Sequence, residues 1–216
     1  MISFFALVST LGVALGVMVL VVVQSVMNGF GEEIRSQISA AQGDVRLEHG
    51  SGILWDWREW QSELADLEEV TAVAPFGQGI VMLQHRNVPD FPFIWGLDPQ
   101  SGAEVVPMRD FLERGVGNLD DLDERSVMVS TGLARRLHLH LGSVVQVYTP
   151  LMLDRLDEGE IILPRELLVV GIFQTGWHQV DENTAVVSLR LMQDLYGLDD
   201  GVHGLALRLR DRDQAP

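Results

Sequence analysis

Apolar and polar positions change period several times along this chain. From Ile2 to Val23 there is no charge, and the polar members are only Ser3, Ser9 and Thr10. At ~1.5 Å rise per residue the run reaches ~33 Å, which matches a hydrocarbon core roughly 30 Å thick. A secretory signal would carry a basic start and a shorter apolar run before its cleavage site. Both are missing, so the pattern predicts a retained membrane helix over 1–27. Phe30, Ile34 and Ile38 then recur every four residues and predict a stalk helix over 28–42. Gly12 and Gly16 form a small-xxx-small face on which a second helix could approach closely.

Beyond the stalk, period two alternates with helical spacing. DVRLEH (44–49) alternates as a half-buried strand does. Ile53, Trp57, Trp60, Leu64 and Leu67 recur at intervals of three or four and predict a helix with one apolar face, leaving Trp55 exposed. VTAVAP (70–75) and GIVMLQ (79–84) predict two strands around FGQ, and FPFIWGLD (91–98) predicts a third. A short helix at 108–114 and the acidic connection GNLDDLDER follow. RSVMVS (125–130) predicts a strand, and TGLARRLHLHLG a helix with Leu133, Leu137 and Leu141 on one stripe, Thr131 as cap and Gly142 as stop. VVQVYTP, ELLVVGIF (166–173), TAVVSL and HGLALRLR predict further strands, with SLRLMQDLYG a helix before the last.

This order predicts an α+β fold: the membrane helix and stalk, then a two-lobed domain. One lobe is built from 43–98 and 165–212, a mainly β lobe at 99–164 is inserted into it, and 213–216 form a tail. The stretch from Pro150 to Arg165 is longer than a sheet connection needs. In it Leu151, Met152, Leu153, Ile161, Ile162 and Leu163 flank the charged turn DRLDEGE. Such a segment either folds back over its own lobe or projects to meet a partner protein.

Charge narrows the partners. There are 31 acidic and 15 basic residues, net −16, and every basic residue is Arg. That balance argues against nucleic acid and against lying on an anionic bilayer surface, since both depend on concentrated cations. A chain without Lys has no P-loop, and one without Cys has no disulfide or thiol nucleophile. HExxH and G-x-S-x-G are absent as well. His138 and His140 fall on different sides of their predicted helix, and His178 with Asp181 reads as a loop hydrogen bond. The expectation is a subunit without catalytic residues, metal or cofactor.

Four stretches taken together, STLGVALGVMVLVVVQSVMNGFG, DVRLEH, VMVSTGLARRLHLHLGSVVQV and ELLVVGIFQTGWHQVDENTAVVSLRLMQDLYG, resemble the lipoprotein-releasing permeases of ABC transporters. These sit within the wider family of macrolide-exporter and cell-division type permeases. The resemblance implies a bacterial inner-membrane subunit with its soluble part in the periplasm, truncated to the first of four membrane helices and the domain after it. It also implies a second permease subunit, a cytoplasmic ATPase that performs the hydrolysis, and handover of lipoproteins to a periplasmic carrier; the alternatives are an exporter permease of another substrate and a membrane-anchored, non-enzymatic interaction or sensor domain. By position, the hairpin with Pro164 and Arg165 at its end matches the element through which one permease type docks that carrier. Val17, Leu20, Val21 and Met27, with Gly12 and Gly16, are implied as helix-pairing or lipid-cavity residues.

Overall fold

The computed structural model describes residues 11–24, 43–50, 52–149, 152 and 164–211. It divides into two units, Met1–Ile38 and Ser39–Pro216. In the first, residues 11–24 form helix α1, exposed along its whole described length. At ~1.5 Å per residue these span ~21 Å, and among the described residues no helix is long and apolar enough to cross a membrane. The rest of the expected span over 1–27 and the stalk over 28–42 lie outside the described residues.

The second unit is organised by one long bent hairpin. Strand β2 (Val70–Ile80) passes through the buried Val81 into β3 (Met82–His85), turns at Arg86 and Asn87, and returns as β4 (Val88–Asp90) and β5 (Phe93–Leu97). The pairs Phe76↔Leu97, Ile80↔Phe93, Leu83↔Asp90 and His85↔Val88 hold one register throughout. Both turn residues have positive φ, 48° and 67°, the two-residue I′ geometry that matches the twist of the flanking strands. The predicted break at FGQ is therefore corrected: Phe76, Gly77 and Gln78 pair with Leu97, Gly96 and Trp95 inside a continuous strand. The glycine there serves close approach, because a Cβ on Gly77 would lie 2.5 Å from Met192 Cγ.

The remaining strands are β1 (Val45–Glu48), β6 (Val116–Gly117), β7 (Ser126–Ser130), β8 (Val144–Tyr148), β9 (Arg165–Phe173), β10 (Thr184–Ser188) and β11 (Gly204–Leu209). The sheet runs β1-β11-β2-β5-β10-β7-β9-β8-β3-β4, with β6 on β9. β2 and β3 stand far apart in this order yet are separated in sequence by Val81 alone, so the sheet must curl until they meet. Inside the curl lies a core of Leu83, Ile94, Val129, Val145, Leu167 and Val187, among others. β7 and β8, from the 99–164 stretch, stand in the same sheet as strands from either side of it.

Helices close both faces. The helix α2 (Trp57–Ala65) seats Trp57 against Leu205 and Val73, and the Trp57 indole donates to the Asp200 carbonyl at 2.8 Å. Trp60 was expected on the same core stripe but is 46% exposed. The face that α2 turns to the core carries Trp57, with Leu64 half-buried against the same cluster. α3 (Ser101–Val105) and α4 (Met108–Glu113) cover a second cluster around Phe111, Met128, Phe173 and Val186. After a 3₁₀ turn at Leu119–Asp121 comes α5 (Thr131–Leu137), which ends earlier than predicted. His138 takes the left-handed conformation (φ 54°), and the Leu139 N–H bonds the Ala134 carbonyl at 2.8 Å. This stop drops Leu139 into the core and leaves Leu141 45% exposed, the hydrophobic contact that accompanies left-handed helix ends.

α6 (His178–Asn183) and α7 (Leu189–Tyr196) complete the domain. α7 begins where Ser188 Oγ accepts the Leu191 N–H and ends at left-handed Gly197, a cap at each end.

Candidate interaction sites

The root of the 150–163 excursion is built from β8 and β9. Their antiparallel register pairs Val144 with Leu168 and Val147 with Arg165, so the next positions, Tyr148 and Pro164, leave and re-enter the sheet side by side. Two adjacent strand ends are what a hairpin needs at its base. Thr149 is buried just beyond, and its carbonyl accepts the Met152 N–H at 3.0 Å. Arg165 reaches Asp194 of α7 at 3.4 Å. Two residues further along α7, the Tyr196 hydroxyl donates to the Ile80 carbonyl at 2.7 Å. Burial pushes that phenol up to about 12, so it remains a donor at neutral pH.

Of the residues expected to meet a partner, Met152, Pro164 and Arg165 are half-buried at this root. Leu151, Leu153, Ile161, Ile162 and Leu163 lie outside the described residues. On α1, Gly12, Gly16 and Leu20 fall on one line at i, i+4 and i+8, with Val17 and Val21 on a neighbouring line. A Cβ on either glycine would meet nothing within 4 Å. Met27 lies outside the described residues.

The expected hydrogen bond between His178 and Asp181 is not formed, since both residues lie on α6 and Asp181 turns back to the preceding loop. Its carboxylate accepts from the Thr175 N–H (2.7 Å) and hydroxyl (2.8 Å) and from the Gly176 N–H (2.9 Å). His178 instead lies 3.9 Å from Glu182. Among the described residues no three His, Asp or Glu side chains come together to hold a metal. Sequence reasoning missed the Asp194 partner of Arg165. It missed the β4 return as well, because HRNVPD carries no glycine to mark a tight turn.

The sequence profile of the MacB-like periplasmic core domain matches residues 6–216. The chain belongs to this family. It is 32% identical over 222 residues to the lipoprotein-releasing system transmembrane protein LolC of Neisseria meningitidis serogroup B, an alignment covering 99% of this chain and 51% of LolC. It is 29% identical over 217 residues to the protein of the same name from Xylella fastidiosa, with the same 99% and 51% covered. The chain thus spans about half the length of these relatives. The extracellular domain of the noncanonical ABC-type transporter YknZ from Gram-positive bacteria shares the fold. Its TM-score is 0.50 at 13% identity, over 78% of this chain and 83% of that one. The curled sheet with helices on both faces is thus the architecture of a MacB-like periplasmic core domain.

Proposed function

We propose that this chain is part of a permease subunit of an ABC transporter that extracts lipoproteins from the inner membrane and passes them to a periplasmic carrier. The observation that carries the reading is the alignment of 99% of the chain, at 32% identity, with a lipoprotein-releasing protein. In this reading the first helix lies in the bacterial inner membrane and pairs with a second permease through the Gly12, Gly16 and Leu20 line. Residues 43–212 stand in the periplasm, and the inserted lobe over 99–164 bears the docking hairpin. ATP is hydrolysed by a separate cytoplasmic subunit, and this chain performs no covalent chemistry. The side-by-side ends at Tyr148 and Pro164 support a hairpin there, and the Arg165–Asp194 pair ties its base to α7.

Photocrosslinking tests the reading, with photoreactive residues at Met152, Leu163 and Val17 in cells that contain the complete transporter. Capture of a periplasmic carrier from the first two positions, and of lipoprotein from the third, is expected. Capture of unrelated export substrates instead would contradict it.

A further inference from the structure

One face of the β2–β3/β4–β5 hairpin is covered by α3 at its Phe76–Leu97 end, where Leu97 is buried, and open towards Ile80 and Phe91. Side chains alternate along a strand, so Phe76, Gln78, Ile80 and Met82 share a face with their partners Leu97, Trp95, Phe93 and Phe91. The opposite face, with Val81, Leu83 and Ile94, is buried. On the open face Ile80 is 57% and Phe91 60% exposed. Phe93 stands edge-on to Trp95 with ring centroids 6.3 Å apart. At one end Met82 pairs with Tyr148, beside the hairpin root. At the other the strip runs into an apolar crevice of about 50 Å³ between α3 and the sheet, walled by Phe76, Trp95, Leu97, Val105 and Arg46.

Size and charge decide what could occupy it. From Gln78 to Met82 the open part of the strip is about 13 Å long and, two strands wide, about 10 Å across, and it continues into the crevice. The resulting ~130 Å² is far below the ~800 Å² per partner of a stable protein interface. A second protein or second copy is therefore too large an occupant, whereas a single extended aliphatic chain fits. None of the eight paired residues is charged, on a protein of net charge −16. The crevice end does carry a cation: Arg46 lies 3.9 Å over the Phe76 ring and donates to the Gln78 side chain at 2.7 Å. Its side chain is only 23% exposed, with Glu48 3.5 Å away. The Trp95 indole N–H is buried without an acceptor among the described residues, and such groups are uncommon where no ligand or water completes them.

We propose that this strip seats one acyl chain of a lipidated protein N-terminus, its tail along Ile80, Phe91 and Phe93 and an acyl carbonyl near Arg46 and Trp95. The proposal rests on the lipoprotein reading above and adds a station for the lipid outside the membrane helices.

The test uses the full chain in lipid nanodiscs and a synthetic triacylated lipopeptide with a diazirine in one acyl chain. A phospholipid carrying the same diazirine chain is run in parallel, and labelled peptides are mapped by mass spectrometry. Lipopeptide label is expected within 76–82 and 91–97. The double variant I80Q/F91Q should lower it roughly tenfold, since two exposed apolar contacts are removed. V116Q, on exposed β6, should leave it unchanged. Ile80 and Phe91 project into solvent, so folding is expected to survive, and an unchanged melting curve checks this. A strip unlabelled by lipopeptide, equal labelling by phospholipid, or no response to I80Q/F91Q would overturn the proposal. Lipopeptide label on α1 with a bare strip overturns this inference and leaves the lipoprotein reading standing. No lipopeptide label anywhere, with phospholipid labelling α1, counts against both.

Discussion

His203 shows how one side chain can tie stability to pH. Its Nδ1 accepts the Gln78 N–H at 2.9 Å, and its ring meets Tyr196 edge-on at 6.1 Å. Accepting at Nδ1 and being buried both disfavour the imidazolium, and burial lowers the His203 pKa below 6.5 against the pull of Glu48. Above 6.5 the ring is neutral in the folded and unfolded chain alike, so it adds no pH dependence there. Below 6.5 the unfolded chain takes up a proton that the folded one refuses, and stability falls until the lowered folded pKa is passed. Urea midpoints should therefore drop as the pH falls through and below 6.5. H203N keeps an acceptor and removes the titration, and should flatten that slope. An unchanged slope in H203N would place the proton uptake elsewhere.

Among the elements, the hairpin turn depends least on ideal residues. Arg86 and Asn87 both occupy the left-handed region, which costs about 1–2 kcal/mol for an ordinary L-residue and little for Gly or Asn. R86N/N87G should accordingly stabilise the domain by about 1 kcal/mol, read as a higher urea midpoint with unchanged m-value. A loss of stability would mean that Arg86 makes a contact worth more than the strain it bears. The same turn marks where sequence reasoning stops. β1, β5, β7, β9, β10 and β11 were legible because period-two alternation or a short apolar run survives in each. β4 was not, since its turn has no glycine. The split of β2 came from reading FGQ as a break, whereas Gly77, like Gly79 beyond it, gives room to α7. α5 was read too long because Leu141 keeps the heptad-like spacing. The left-handed His138 and the burial of Leu139 show only in three dimensions.

At the scale of the whole molecule, the curl that brings β2 beside β3 sets the excursion root, α7 and the aromatic strip close in the sheet order. Along that edge Tyr148 follows Met82, and Arg165 and Tyr196 hold α7 to β9 and β2. The candidate site was legible only as a segment: the length and apolar flanks of the 150–163 stretch were in the sequence, but the ion pair beside the β9 end joins residues 29 positions apart. The uncovered strip could not be read as a surface, because its members look like ordinary core positions of two strands.

The central claim is lipoprotein release, and the most direct measurement is membrane fractionation of cells in which this protein is depleted. Outer-membrane lipoproteins are expected to accumulate in the inner-membrane fraction, and re-expression of the protein to restore them to the outer membrane. An unchanged lipoprotein distribution after depletion, with a separate export substrate retained instead, would contradict the account.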